Sequence, residues 1–245
     1  MDDLQAQCER GQQQLMATDY LAAEQTLAAA EQVAWDTRDF ETFARLLMPL
    51  QEARRQKRQR CGEGEVCLDL IAQSETDHID GGRIIENYLH GQLLVAGWGS
   101  IEPAVKARQL AAEKQLYVEA FLAAVYPIGS GRVIVIVPSQ DVRVPEANAS
   151  SVDDLVRRLP PHSIIVSENE LPRGSRKGTT ETFAQVMAMW ERLHAPFLAA
   201  ADMQVDSLKK IEGYRQTIRV DYACELAHQK ASNTAREIAR SRRSS

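Results

Sequence analysis

Arg132-Val133-Ile134-Val135-Ile136-Val137 is the stretch that decides the fold class of this 245-residue chain. Its β-branched side chains crowd the preceding turn of a helix but sit well on a pleated surface, so the run predicts a strand. Three other short apolar runs share its texture, at 66–72, 92–96 and 163–166, although the first also reads as helix. Between them lie helical patterns over about 82–90, 102–126 and 152–159. The segment 102–126 offers Val105, Leu110, Leu116, Phe121 and Val125 for a buried face, and Ser100 and Ser151 are placed as N-caps. Strand and helix in alternation predict an α/β fold with a small, mostly parallel sheet of about four strands and flanking helices.

In a parallel sheet the loops after the strands gather along one edge, and ligands bind there. Those loops would bring Glu75, Asp77 and His78 after the first strand and Gly97-Trp98-Gly99-Ser100 after the second. Ser139 and Asp141 would follow the third strand, and Glu168, Asn169 and Glu170 the fourth. No catalytic template fits this set, and no catalytic residue is assigned. Gly97 and Gly99 ahead of a helix match half of a dinucleotide-binding fingerprint, with Glu102 in place of the third glycine; a tight turn capped by Ser100 is the competing reading.

The basic run Arg173-Gly174-Ser175-Arg176-Lys177-Gly178-Thr179-Thr180 suits an anion through its backbone NH groups, hydroxyls and three cations. Its order is not that of a P-loop, and a surface loop ahead of a helix capped by Thr179 or Thr180 is the competing and simpler reading. Gly97, Gly99, Ser100, Arg173, Ser175, Arg176, Lys177 and Thr179 are therefore the candidates for binding a cofactor or small phosphate ligand. The cofactor itself is left open. Cys224 and His228, four apart on a predicted helix, have the spacing of a metal pair but bring no further ligands, so no metal is assigned.

Outward toward the N-terminus, residues 2–60 read as nearly continuous helix with a break at Trp35-Asp36-Thr37, where Asp36 or Thr37 is placed to cap a third helix from Asp39. Pro49 within that third helix should kink it. Gly11, Leu15, Tyr20, Ala23, Leu27 and Ala30 fall at the spacing of one helical hairpin, with small residues where the two helices cross. This pattern resembles a tetratricopeptide (TPR) repeat over about 50 of the 245 residues. It departs from the family pattern at Gln7, where a bulky residue is usual, and in lacking a closing proline near Val33 and Trp35. The resemblance implies a protein partner held by the N-terminal helices. Such arrays need about three repeats to bury their hairpins, so these helices must pack on other parts of the chain.

Toward the C-terminus, helix is expected from Thr180 through Trp190 and Leu193, a break at Pro196, and a long helix from Asp206 to about Arg240. The predicted domains are thus a helical TPR-like segment 1–62, an α/β domain 63–178, and C-terminal helices 179–245 packing on the α/β domain. Hydrophobic content of 44% with 26% charged residues suits a globular core, and the net charge of -5 argues against nucleic acid as partner. No stretch is apolar enough for a membrane span, and four cysteines without a C-x-x-C pair read as reduced thiols, so a cytoplasmic protein is expected. Function reads first as a non-catalytic interaction or scaffold protein. The alternative is a phosphate-ligand or nucleotide-binding α/β module, in which Glu168 or Asp141 could serve as acid/base or metal ligand.

Overall fold

The structure is a computed structural model that describes residues 2–171, 175–177 and 179–244, with backbone alone described at 2, 175–177 and 244. Contacts divide the chain into two compact units, Met1–Arg58 with His194–Ser245, and Gln59–Leu193. Residues 194–245 therefore belong with the N-terminal helices, whereas the sequence reading groups 179–245 on the α/β domain.

Helices α1 (Asp2–Met16) and α2 (Tyr20–Asp36) form a hairpin turned at Thr18, whose φ is 62°. Gly11 permits their close approach, because a Cβ there would lie 2.6 Å from Leu27. Ala23, Leu27, Ala30 and Ala34 follow on the buried face of α2. Helix α3 (Phe40–Glu63) is capped by Asp39, whose carboxylate accepts from the Thr42 amide at 3.0 Å. Thr37, a candidate for that cap, instead closes α2 by donating its hydroxyl to the Val33 carbonyl at 2.8 Å. Pro49 lies inside α3 without ending it. Leu46, Leu47 and Leu50 around it are buried, and packing of that face holds the helix where propensity would loosen it.

The α/β unit is built on β1 (Glu65–Ile71), α4 (Gly81–Asn87), β2 (His90–Trp98), α5 (Glu102–Glu113), β3 (Tyr117–Ile128), β4 (Gly131–Ile136), α6 (Val152–Arg158), β5 (Ile164–Ser167), β6 (Ser175–Lys177) and the first part of α7 (Thr180–Asp202). The α/β class and the strands at 66–72, 92–96, 132–137 and 163–166 are as the sequence predicts. The sheet is larger and mixed: its order is β5-β4-β3-β2-β1-β6, with β1, β2 and β3 parallel and the other strands antiparallel to their neighbours. Strand β3 replaces the second half of the helix expected over 102–126. Helix α5 stops at Glu113, and Gln115 turns the chain at φ 51°. Val118 to Tyr126 are all buried, with Glu119 the one charged residue among them, so neither face of β3 is solvated and the alternation that marks a half-exposed strand is absent.

Helices α4, α5 and α6 cover one face of the sheet, where Ile85, Ala104, Ala107 and Leu155 pack on Leu93, Val95, Leu122 and Ala124. On the other face Phe121 stacks on Trp190 of α7 at 4.4 Å between ring centroids. Ser151 caps α6 by accepting from the Asp154 amide at 3.1 Å, as its position in the sequence suggests.

Pro196 does not end α7, which continues to Asp202; the break falls at 203–206, where Asp206 caps α8 (Ser207–Val220). Leu198 and Ala201 lie beyond Pro196 in the core of the helical unit, and their burial carries the helix past the proline. The long helix expected from Asp206 is split at Asp221, and α9 (Glu225–Ser244) follows. One core joins Leu27, Phe43, Leu47, Ala201, Ile211, Tyr214, Ala231 and Ala235. Ser232 of α9 donates to the Ala44 carbonyl at 2.8 Å in its interior. No helix among the described residues is long and apolar enough to cross a membrane.

Candidate functional site

The carboxyl ends of β1 and β2 open into a cleft of about 790 Å³, at the sheet edge where the sequence places ligand chemistry. The loop after β1 is folded by its own carboxylates. Asp77 accepts from the Gln73 and Ser74 amides at 2.8 and 3.1 Å, and Asp80 accepts from the Gly82 amide at 2.7 Å to start α4. The loop after β2 needs both glycines. A Cβ on Gly97 would lie 2.7 Å from the Ser100 carbonyl oxygen, and Gly99 has φ +54 with Ala147 2.9 Å from where its Cβ would stand. Ser100 accepts from the Glu102 amide at 3.2 Å. The tight turn is thus present, but the cap position of α5 falls to Ile101, not Ser100, which lies one residue outside it.

Glu75, Asp77, Asp80 and Glu102 line the cleft against Lys106 and His78, with part of Trp98 and Gln109 alongside. At the start of α5 the Glu102 amide is taken by Ser100, Pro103 has no NH, and the Val105 amide bonds to the Ile101 carbonyl. Few backbone donors therefore face an anion there, and carboxylates outnumber cations.

The other candidates among the described residues, Ser175, Arg176, Lys177 and Thr179, lie elsewhere. Ser175, Arg176 and Lys177 form β6 and pair with Cys67, Val66 and Glu65, the residues that begin β1. Because β1 runs parallel to β2, β6 sits toward the end of the sheet opposite Gly97 and Ser100. Arg173 lies outside the described residues. Thr179 is the cap of α7: its hydroxyl accepts from the Thr182 amide at 3.2 Å, and its own amide donates to the Thr182 hydroxyl at 2.8 Å. Glu168 is held by Arg132 through two bonds of 2.8 and 2.7 Å, and Ser139 donates to Asp141 at 3.2 Å.

The helical unit has a second cleft, of about 360 Å³, between α2, α3 and α8. Ala28, Leu47, Leu50 and Ile218 give it an apolar floor, and Arg54, Arg215 and Arg219 stand around it with Glu31, Gln32 and Tyr222. Arg215 bonds to Glu31 at 2.9 Å and to Gln32 at 2.7 Å while its guanidinium lies 4.5 Å from the centre of the Trp35 ring. Arg54 bonds to Glu24 at 3.2 Å and to His228 Nε2 at 3.1 Å.

His228 is therefore not a partner for Cys224 in metal binding. Its Nε2 accepts from Arg54 and its Nδ1–H donates to the Cys224 carbonyl at 2.8 Å. Burial, and then the charge of Arg54, push its pKa down to about 3, so the ring is neutral. The histidine that does approach the Cys224 sulfur is His194, thirty residues away in sequence and invisible to a spacing argument. Comparison of the chain with protein-family models, curated proteins and solved structures finds no match.

Proposed function

We propose that the chain is a non-catalytic interaction protein whose helical unit, opened by a TPR-like hairpin, holds a segment of a partner protein in the cleft between α2, α3 and α8. The cleft itself carries this reading: an apolar floor ringed by three arginines matches an aliphatic side chain flanked by carboxylates. Its volume suits a few side chains, not a folded domain. Four buried free cysteines agree with a reducing, cytoplasmic setting for such a protein.

A displayed library of random peptides, selected on the full chain, tests the proposal. Enriched sequences should pair Asp or Glu with Leu, Ile or Val. Arg219→Glu should weaken them at least about tenfold, a loss of about 1.4 kcal/mol. Arg219 is the right position because Arg54 and Arg215 are tied into the fold through Glu24, His228, Glu31 and Gln32. Failure to enrich, or peptides that bind Arg219→Glu equally well, would sink the idea.

The 790 Å³ cleft of the α/β unit supports a second reading, a small-ligand site, since it lies in the range of about 300–1,000 Å³ usual for such sites. Its excess of carboxylates favours an amine, a polyol or a cation over the phosphate ligand suggested by Arg173, Arg176 and Lys177. Thermal unfolding of the chain with polyamines and sugars beside nucleotides and sugar phosphates distinguishes these. Stabilisation by the first group, lost in Glu102→Gln, is the expected result. Stabilisation by phosphates alone reverses the preference.

A further inference from the structure

Asp221 and Cys224 flank the tight turn between α8 and α9, and His194 reaches them from α7. The Cys224 amide donates to the Asp221 carbonyl at 3.0 Å and the Ala223 amide to the Asp221 carboxylate at 3.2 Å, so the turn is held by the same residue that presents its side chain inward. One carboxylate oxygen of Asp221 accepts from Arg58 at 2.8 Å, and the other faces His194 Nδ1 at 2.6 Å. The Cys224 sulfur, a His194 ring nitrogen and an Asp221 oxygen all lie within 4.8 Å of one another. Asp221 is 1% exposed and Cys224 5%.

A thiol, an imidazole and a carboxylate suggest two chemistries, and the geometry separates them. A nucleophilic relay sets thiol and carboxylate on opposite sides of the ring, with two hydrogen bonds of about 3 Å in series, so sulfur and oxygen would be more than about 6 Å apart. Here they are not. Three donors converging on one point is the arrangement of a metal site, in which bonds of about 2.0–2.3 Å place tetrahedral ligands roughly 3.3–3.8 Å apart. The convergence lies within reach of that spacing by side-chain adjustments of about an ångström.

We infer that His194, Asp221 and Cys224 form a site for a divalent transition metal of the zinc class, with a fourth position left for water or another ligand. The mixed sulfur, nitrogen and oxygen set suits zinc and excludes magnesium or calcium, which take oxygen. On binding, the ion takes the place of the proton shared between ring and carboxylate, and both that proton and the Cys224 thiol proton leave to solvent. Arg58 would act as an outer partner. By occupying one oxygen of Asp221 it leaves the other for the metal, while His228 fixes the Cys224 backbone through its carbonyl.

The test is a Co(II) titration of the full chain after chelator treatment and removal of the chelator. The expected result is one ion per chain, with visible bands of tetrahedral cobalt and a near-ultraviolet thiolate-to-metal band; zinc should displace it and abolish both. Cys224→Ser should remove the thiolate band, and His194→Gln should weaken binding more than about a hundredfold. Circular dichroism of both variants confirms that they fold. These two leave the Arg58–Asp221 ion pair in place, which is why Asp221 itself is not the residue to change. No cobalt bound, or a thiolate band that persists in folded Cys224→Ser, overturns the assignment.

Discussion

Replacing Arg58 with alanine is expected to destabilise the metal-free helical unit by about 3–5 kcal/mol, because it strands the buried Asp221 carboxylate. The side chains of the pair are 4% and 1% exposed. Burial alone would raise the Asp221 pKa, but Arg58 and then His194 outweigh it and hold it down at about 2. A carboxyl with a depressed folded pKa contributes stability above its unfolded value, about 3.9, and loses that contribution as the pH falls through the folded value. Without Arg58 the largest lowering influence disappears and the folded pKa rises toward the unfolded one, so Arg58→Ala should also lose less of its remaining stability on acidification than the parent. Its guanidinium lies 4.9 Å from the centre of the Tyr222 ring, and that packing is lost as well. Urea unfolding in chelator, followed across acid pH, measures both effects. A loss under about 1 kcal/mol with an unmoved acid limb would show Asp221 to be reached by water.

Arg58 also illustrates what the sequence conceals. It sits among Arg54, Arg55, Lys57 and Arg60, a basic run that reads as a solvated helix end. Arg55 and Arg60 fit that reading, each paired with a glutamate on its own helix at roughly half exposure. Arg54 and Arg58 turn inward to Glu24, His228 and Asp221, partners at sequence distances that no window or motif spans. The same holds for His194 with Cys224. Local signals fared better: the strand at 132–137 and the caps at Ser151 and Thr179 were legible because their causes lie within a few residues. Strand β3 was missed for a physical reason. A central strand covered on both faces by helices has no polar side, and a run such as Phe121-Leu122-Ala123-Ala124-Val125 then carries no period to tell it from a buried helix. At the candidate sites, the sequence brings the loops after β1 and β2 to one edge, as the structure does. It does not place Ser175–Lys177, since the reversal that makes β6 antiparallel to β1 leaves no mark in the residues themselves.

Gly11→Val should cost the helical unit about 2 kcal/mol, and the cost should depend on Leu27. Valine gains a few tenths of a kcal/mol over glycine in helix propensity, so the sign is set by packing. The new Cβ would stand 2.6 Å from both Cγ and a Cδ of Leu27, nearer than carbon atoms approach. Leu27 is fully buried between the small residues Ala23 and Ala30, so it cannot swing clear, and α1 must move off α2. Overpacking of this kind costs about 1–3 kcal/mol. Leu27→Ala alone should cost about 2–5 kcal/mol for lost burial and the cavity that remains. Made together, the two changes should cost less than their sum by at least about 1 kcal/mol, because valine at position 11 enters the space that Leu27 vacates. Denaturant unfolding of the two single variants and the double variant closes the cycle. Additive losses would mean that the helices meet at another register, and the small-residue spacing of Gly11, Ala23 and Ala30 would then have no part in holding them together.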